Sequence, residues 1–461
     1  MTEEQIHPVD RRLPPVRLGI LGFQHVLVMY AGAVTTPLVI GAALGLAKEQ
    51  IALLINADLL ICGIATLIQA AGVRGVGIRL PIIMGVSVVS IGPIIAVGSN
   101  PALGMQGVFG AVIVAGIFAL LVAPFIGRLR KFFPPVVMGA VILVIGLTLM
   151  KVAANWAAGG QPVIKGPDRL IPNPNYALLP NIALAGLVLV SIVVVARFGR
   201  GLLSNLAVLA GLLVGFGVAI ALGRVDWAGI ATAPWLALVM PFEFGFPKFD
   251  LWASLMLCLV MMVVMIESLG MFFAVGEIVE KPVSEQDLTR AIRADGVGTI
   301  LGGVFNSFVY TSYSQNIGLL QVTGVRSRWV CVASGMILIL LGLLPKMAFV
   351  VASIPPYVLG GAAIVMFGMV AATGIKILSK VDYSSSQQNL YVVALGVGIG
   401  LIPLVAERFF QNFPPSLTPL THSGIMLTAV VAALLNALFS VKEAEPRHMP
   451  TGMAPEKNPD C

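Results

Sequence analysis

A polar stretch interrupts the apolar second half of the chain at residues 308–324, FVYTSYSQNIGLLQVTG. It contains two adjacent amides, Gln315 and Asn316, and two glycines, Gly318 and Gly324. An unsatisfied amide in hydrocarbon costs roughly several kcal/mol, so such groups normally line a cavity or contact a partner helix. Glycines at this depth indicate unwound or closely packed backbone. The stretch therefore predicts a site for a ligand that has both hydrogen-bond donors and acceptors.

A second interrupted segment lies in the first half of the chain. Leu80–Val97 is short for a membrane span and contains Pro81, Gly85 and Ser87 among its apolar residues. Short segments broken by Gly or Pro at matching positions of two halves predict an inverted-repeat transporter with its site at the membrane midplane. The alternative interpretation is that both segments are ordinary kinked helices.

The composition is that of an integral membrane protein. The chain is 58% hydrophobic and only 11% charged, with a mean hydropathy of +0.98, which excludes an ordinary soluble domain. Its apolar runs recur at the length of about 20 residues that a helix needs to cross a bilayer. We count about fourteen such segments, and the twelfth is predicted to span Ala348–Thr373.

The basic residues set the predicted orientation. With an even number of spans, 20 of the 28 Lys and Arg residues fall on the side of the two termini and 8 on the other side. The positive-inside rule therefore places both termini in the cytoplasm. The same bias explains the net charge of +7, so the charge does not indicate a nucleic-acid partner. Residues 1–16 are expected to form a cytoplasmic segment, and residues 444–461 a disordered cytoplasmic tail rich in proline and charge.

Glu267 is the leading candidate for chemistry. It lies within the predicted span Leu251–Ala274, where a carboxylate is costly and usually functional. Removal from water favours the protonated form of a carboxylic acid, which would let Glu267 gain and lose a proton near neutral pH. The alternative is a structural acid paired with a basic residue, but neighbouring spans contain no Lys or Arg to pair with it.

Other polar residues at membrane depth allow more than one interpretation. His25 could shuttle a proton or orient a partner, or it could be a satisfied structural group, and Gln24 beside it could serve either role. Asp295 could be a helix-end charge or could reach inward to organise a site. A packing contact for Asp58 is as plausible as any function.

Glu267 and Gln315 together could hold the two edges of a planar heterocycle. A glutamine presents one acceptor and two donors in one plane, and a carboxyl group accepts hydrogen bonds or donates one when protonated. Ser87 would approach from the matching segment of the other half. Phe305 and Tyr313 could stack on the face of the ring, although such aromatics commonly only pack.

Several function classes lack their sequence signatures. The chain has no P-loop, so ATP is not the obvious energy source. It also has no HExxH motif and no nucleophile elbow with triad partners, so we expect neither an enzyme nor a metal or organic cofactor. We expect transport to be coupled to an ion gradient, with the proton as the coupling ion.

At these residues the sequence resembles the nucleobase–ascorbate transporter family, also called nucleobase:cation symporter 2. The family signature is Gln, Glu or Pro, then Asn, any residue, Gly, four residues, Thr, and Arg, Lys or Gly. The matching residues are Gln315, Asn316, Gly318, Thr323 and Gly324. The family pair Gln-His in the first span matches Gln24-His25, a Glu in the eighth span matches Glu267, and an Asp in the ninth matches Asp295.

The resemblance implies an all-α membrane fold of about fourteen segments in two inverted repeats of seven, with short strands in segments three and ten. It implies a core domain of residues 17–125 and 251–344, which would hold substrate against a gate domain of residues 134–222 and 348–438. By the same resemblance, Glu267 and Gln315 bind substrate, whereas Asn316, Asp295 and His25 support the site. The family also implies a homodimer surrounded by lipid.

Gln rather than Glu at position 315 resembles the purine branch, and the chain is most similar to bacterial urate and xanthine permeases. The resemblance therefore implies a proton-coupled symporter that imports urate or xanthine across the bacterial inner membrane. A uracil symporter of the same family is one alternative. An anion channel or exchanger of the same fold is another, although it would favour an electropositive midplane, which Glu267 opposes.

Overall fold

We describe the protein from a computed structural model. It describes residues 7–126, 134–165, 170–227, 229–313, 316, 319–320, 323–383, 387–406, 408–413, 421 and 423–443. Two residues predicted to contribute to the site, Gln315 and Gly318, lie outside the described residues. The tail at 444–461 and residues 1–6 of the N-terminal segment also lie outside them.

The first half of the chain contains eight α-helices among its described residues. They are α1 Pro15–Ala43, α2 Lys48–Ala71, α3 Ile91–Gly98, α4 Gly104–Val122, α5 Pro135–Ala157, α6 Leu179–Phe198, α7 Leu202–Asn205 and α8 Ala207–Ala221. The third segment is broken as predicted, because strand β1, Met84–Val86, and a 3₁₀ turn, Val88–Ser90, precede the short α3. Strands β2 Val163–Lys165 and β3 Leu170–Pro172 pair antiparallel.

The second half also has long helices around a broken segment of its own. Its described elements are α9 Leu251–Ile278, α10 Glu285–Val304, β4 Tyr310–Ser312, α11 Arg328–Gly342, α12 Pro345–Ala352, α13 Pro356–Leu378, α14 Gln387–Val405 and α15 Gly424–Glu443. By length and composition, eight of the described helices can cross a membrane, or nine if α11 and α12 count as one bent span. The shorter helices and the two strand segments account for the remaining predicted segments.

The predicted bounds of the twelfth segment were wrong. Residues 348–352 belong to α12, which meets α11 at an angle of 80° and packs on α2, and the spanning helix α13 starts only at Pro356. The reason is local. Pro355 and Pro356 cannot donate the backbone hydrogen bonds of a continuous helix, whereas proline is favoured in the first turn of a new one.

Side-chain caps begin the two helices that carry the candidate carboxyl groups. The Asp250 carboxylate accepts a hydrogen bond from the Ala253 amide at 2.8 Å, where α9 begins. At the start of α10, Ser284 and Asp287 form a reciprocal capping box. Such caps satisfy amide groups that have no partner within the helix, and they fix where it starts. Because each helix starts at a fixed residue, the number of turns between its start and Glu267 on α9 or Asp295 on α10 is also fixed.

The two broken segments meet in the interior. Strands β1 and β4 pair antiparallel, with Met84 opposite Ser312, Gly85 opposite Thr311 and Val86 opposite Tyr310. Two further backbone bonds extend the pairing, from the Ser87 amide to the Val309 carbonyl and from the Tyr313 amide to the Ile83 carbonyl. This pairing satisfies backbone groups that would otherwise be exposed to hydrocarbon. It confirms the predicted strands in segments three and ten.

Helix contacts fall into two groups. Helices α1, α2, α4, α9, α10 and α11 pack mainly on one another, and so do α5, α6, α8, α13, α14 and α15. The strand pair lies within the first group, against α1, α2, α9 and α10.

Candidate substrate site

A small cavity of about 50 Å³ lies where the paired strands meet α9. Both halves of the chain contribute to it, and one residue comes from the second helix group. The lining residues are Gly32, Val86, Ser87, Val88, Glu267, Met271, Thr311, Ser312, Tyr313 and Met366. The structure therefore brings the predicted residues Ser87 and Glu267 together, although they lie 180 positions apart in sequence.

Glu267 is the only ionisable carboxyl group among these lining residues. It is half-buried on α9, and no described residue donates a hydrogen bond to it or forms an ion pair with it. The alternative of a structural acid held by a basic residue has no support in the described part of the chain. A carboxyl group that faces a cavity at membrane depth with no protein partner is available to a ligand or to a proton.

Tyr313 forms a wall of the cavity, and two glycines make room for its ring. A Cβ atom added at Gly85 would lie 1.9 Å from the Tyr313 ring, and one added at Gly32 would lie 2.8 Å from it. These close approaches require glycine on β1 and on α1. The Tyr313 hydroxyl is buried and has no hydrogen-bond partner among the described residues.

Hydroxyl groups make up most of the remaining polar surface. The Ser87 Oγ atom accepts a bond from the Val89 amide at 3.3 Å, so Ser87 caps the turn that follows β1. Thr311 Oγ1 lies 3.0 Å from Ser268 Oγ, which joins β4 to α9 beside Glu267. The cavity thus combines one carboxyl group with donors and acceptors from both strands.

His25 and Asn316, which the resemblance predicts to support the site, contact each other. The Asn316 amide nitrogen lies 3.0 Å from His25 Nδ1 and donates to the His25 carbonyl at 3.1 Å. Both residues are buried, and neither lines the cavity. The pair ties the segment that follows β4 to α1.

Asp295 is fully buried behind the strands on α10. Its Oδ1 atom accepts a bond from Gln69 at 3.2 Å, and Gln69 also donates to the Ala291 carbonyl and accepts from the Ile78 amide. Asp295 Oδ2 has no partner within hydrogen-bond distance among the described residues. Gln69 therefore connects α2, α10 and the approach to β1, a role that sequence reasoning missed.

Three more predicted residues lie away from the cavity. Phe305 follows the end of α10 and is half-buried in the hydrophobic core, and Gln24 is half-buried on α1. Thr323 donates its hydroxyl proton to the Leu319 carbonyl at 2.8 Å. The cavity residue Met366 was missed altogether. It belongs to an apolar helix in which nothing distinguishes it from its neighbours, whereas Gln69 could have been found as a polar residue within an apolar span.

Comparison with known proteins assigns the chain to a family. The model of the permease family named Xan_ur_permease matches residues 17–409. The chain belongs to this family. This confirms the prediction of a nucleobase–ascorbate transporter, made from the motif and from Glu267.

Relatives of this permease align over nearly its whole length. It is 51% identical over 433 residues to the uric acid transporter UacT of Escherichia coli strain K12, with 94% of this chain and 88% of that protein covered. It is 41% identical over 421 residues to the xanthine permease of Bacillus subtilis strain 168, with coverages of 91% and 93%. The chain is accordingly a multi-pass membrane transporter and not an enzyme.

Solved structures share the fold of this permease at much lower identity. The transmembrane domain of a cyanobacterium bicarbonate transporter, BicA, has a TM-score of 0.58 at 16% identity and covers 93% of this chain and 99% of that one. The murine anion transporter Slc26a9 has a TM-score of 0.61 at 11% identity, with coverages of 94% and 70%. These likenesses confirm the predicted fold class and say nothing about substrate.

Proposed function

We propose that this permease is a proton-coupled symporter that imports urate or xanthine across the bacterial inner membrane. One observation carries the proposal, namely that Glu267 faces a cavity formed by the paired strands and has no partner in the described part of the chain. The names of the two relatives, uric acid transporter and xanthine permease, support an oxidised purine as the substrate.

The chemistry of the cavity suits such a ligand. Urate and xanthine are flat rings whose edges alternate ring N–H donors with carbonyl acceptors. The Glu267 carboxylate accepts from ring N–H groups, and the hydroxyls of Ser87, Thr311 and Ser312 can donate or accept. Tyr313 offers an aromatic surface beside them. We assign the opposite edge of the purine to Gln315, two positions after Tyr313, whose amide matches a donor and an acceptor at once.

Proton coupling follows from the same residue. An ionised Glu267 in a cavity closed from water is costly, whereas a protonated one is not. If Glu267 takes up a proton together with substrate, the loaded and empty transporter differ in the protonation of Glu267, and the proton gradient can bias the direction of the conformational change. The buried groups His25, Asn316 and Asp295 would hold the surrounding helices and are assigned supporting roles.

Alternating access would use the two groups of helices. We assign residues 17–125 and 251–344 to a core domain and residues 134–222 and 348–438 to a gate domain, with both termini in the cytoplasm. Residues 348–352 are the exception, because they belong to α12 and pack on α2 of the core. The lining of the cavity supports this assignment, because nine of its ten residues belong to the core and Met366 belongs to the gate helix α13. Movement of the core against Met366 would open the cavity to one side of the membrane.

Transport of a small inorganic anion is the function that the titles of the structural neighbours name. At identities of 16% and 11%, these neighbours are evidence for the fold only. A pathway for a small inorganic anion would favour a basic residue at the midplane, whereas the cavity has an acidic one.

The test is uptake of labelled urate, xanthine and uracil by membrane vesicles with an imposed proton gradient. We expect accumulation of urate or xanthine that an uncoupler abolishes, and no accumulation of uracil. Accumulation that survives the uncoupler but requires sodium would exclude proton coupling. Accumulation of uracil alone would exclude the purine assignment.

A further inference from the structure

Asp58 on α2 is a third carboxyl group in the interior, besides Glu267 and Asp295. Its side chain is fully buried and does not line the cavity. Three donors converge on one of its oxygens, because Oδ1 lies 2.8 Å from the Tyr310 hydroxyl, 3.1 Å from Ser307 Oγ and 3.6 Å from Cys62 Sγ. The other oxygen, Oδ2, has no partner among the described residues.

Tyr310 is held at both ends. Its hydroxyl also lies 3.1 Å from the Asp58 carbonyl and 2.9 Å from Ser307 Oγ, so it is anchored to α2. Its backbone amide donates to Thr299 Oγ1 at 3.0 Å, and Thr299 donates in turn to the Asp295 carbonyl at 2.8 Å on α10. Tyr310 is the first residue of β4, so these contacts hold the start of the strand in place between α2 and α10.

The position of Tyr310 fixes the position of the cavity residues that follow it. Side chains alternate between the two faces of a strand. Tyr310 points back to α2, and the next residue, Thr311, faces the cavity and contacts Ser268 on α9. A shift of Tyr310 would therefore carry Thr311, Ser312 and Tyr313 with it.

We propose that Asp58 is a positioning residue, which holds β4 against α2 through Tyr310 and thereby sets the shape of the substrate cavity. Asp58 does not touch the substrate, because it is buried behind the strand. We assign it no part in the exchange of the coupled proton, and the amide variant tests this, because an amide oxygen accepts the hydrogen bonds of Tyr310 and Ser307 as a carboxyl oxygen does but cannot be protonated in the same range of pH. The inference rests on the proposed function only in equating the cavity with the substrate site.

The test compares Asp58→Asn, Asp58→Ala, Tyr310→Phe and the double variant Asp58→Ala/Tyr310→Phe. We expect Tyr310→Phe to raise the KM for the transported purine about threefold to tenfold, as loss of a buried hydrogen bond would, with the pH profile of uptake unchanged. Asp58→Ala should raise the KM at least as much, because it removes the acceptor that Tyr310, Ser307 and Cys62 share. The double variant should raise the KM by less than the product of the two single effects, because both substitutions break the Asp58–Tyr310 contact. Asp58→Asn keeps the acceptor and should restore a KM within about twofold of the wild type.

Asn56→Ala is the matched control, since Asn56 is a buried polar residue two positions earlier on the same helix. Its KM should equal that of the wild type. Three results would overturn the proposal. They are loss of accumulation or a moved pH profile in Asp58→Asn, multiplying effects in the double variant, and an unchanged KM in Tyr310→Phe.

A thermal unfolding cycle of the same four variants, without substrate, separates this proposal from the proposed function. If the wild type accumulates neither urate nor xanthine, the proposed function fails. The Asp58–Tyr310 contact is still tested, because the losses in Tm should then be non-additive. Additive losses would show that the two residues act independently and would overturn the inference.

Discussion

Glu267 and Asp58 are both carboxyl groups at membrane depth, but they lie on different sides of strand β4. Glu267 faces the cavity, is half-buried and has no partner in the described structure. Asp58 lies behind the strand, is fully buried and collects hydroxyl and thiol donors on one oxygen. The two carboxyl groups therefore differ in which groups can reach them, and this difference underlies the ligand-binding role that we propose for Glu267 and the positioning role that we propose for Asp58.

The largest expected effect comes from Glu267→Gln. This variant keeps the shape and the hydrogen-bonding capacity of the side chain, but it cannot titrate. It should reach the membrane, because a neutral amide at depth costs less than an ionised carboxylate. It should fail to accumulate substrate against a gradient, because its two access states no longer differ in protonation.

Membrane abundance, equilibrium binding and concentrative uptake should be measured on one preparation of this variant. Glu277→Gln is the matched control, since Glu277 is exposed at the far end of the same helix and should transport like the wild type. Full concentrative uptake by Glu267→Gln would show that position 267 tolerates an amide. We expect such tolerance at position 58 only, so this result would remove the functional difference between the two residues.

Gly85→Ala tests whether the cavity side of the strands depends on close packing. The new methyl group would lie 1.9 Å from the Tyr313 ring, so the ring or the strand must move. Overpacking of this kind costs about 1–3 kcal/mol, and we expect the KM for the purine to rise at least about tenfold. Gly217→Ala on α8, where nothing lies within 4 Å of the added atom, should leave uptake unchanged. A normal KM in Gly85→Ala would mean that the Tyr313 wall takes no part in binding.

Gln315→Glu extends the contrast to a residue outside the described part of the chain. A glutamine offers a donor and an acceptor, whereas an ionised glutamate only accepts, so one edge of a bound purine would be mismatched. We expect a loss of about 1–3 kcal/mol in substrate binding, measured as competition by urate and xanthine against labelled substrate. Unchanged apparent affinity for the same purine would remove Gln315 from the list of ligands.

The smallest effect is expected at the surface. Arg326 lies 2.8 Å from Glu280 and holds the pKa of that carboxyl below its usual value, first by a hydrogen bond and then by charge attraction. A lowered pKa in the folded state means that the stabilisation is present at neutral pH and is lost as the pH falls through the folded value. Because Glu280 is exposed, solvent and salt screen the pair.

Glu280→Gln should therefore lower Tm slightly at neutral pH and low salt. The difference from the wild type should vanish at high salt and below about pH 4, the usual range of a glutamate. A difference that persists at low pH would mean that the substitution acts through something other than charge. Uptake by Glu280→Gln should equal that of the wild type, so this variant is the baseline for comparison with the variants of Glu267 and Asp58.

The comparison between Glu267 and Asp58 also shows which features of the site could be predicted from the sequence. Both were visible as acids in apolar spans, and hydropathy reports that a residue lies at membrane depth. Hydropathy does not report which neighbour a side chain faces, so Asp58 could not be assigned. The motif in 308–324 pointed to the site through the resemblance, whereas Phe305, included for its aromatic ring, lies outside the cavity lining.

From the sequence alone we could predict the membrane class, the broken third and tenth segments, the family and the helices that carry His25, Glu267 and Asp295. These follow from local patterns, namely runs of apolar residues, breaks at Gly and Pro, and a contiguous motif. The tertiary structure decided the register of β1 on β4, the wedge of Tyr313 against Gly85, and the contact of Asp58 with Tyr310, 252 positions away. Such contacts depend on how helices rotate and cross in three dimensions, and no pattern along one segment encodes the partner that another segment will present.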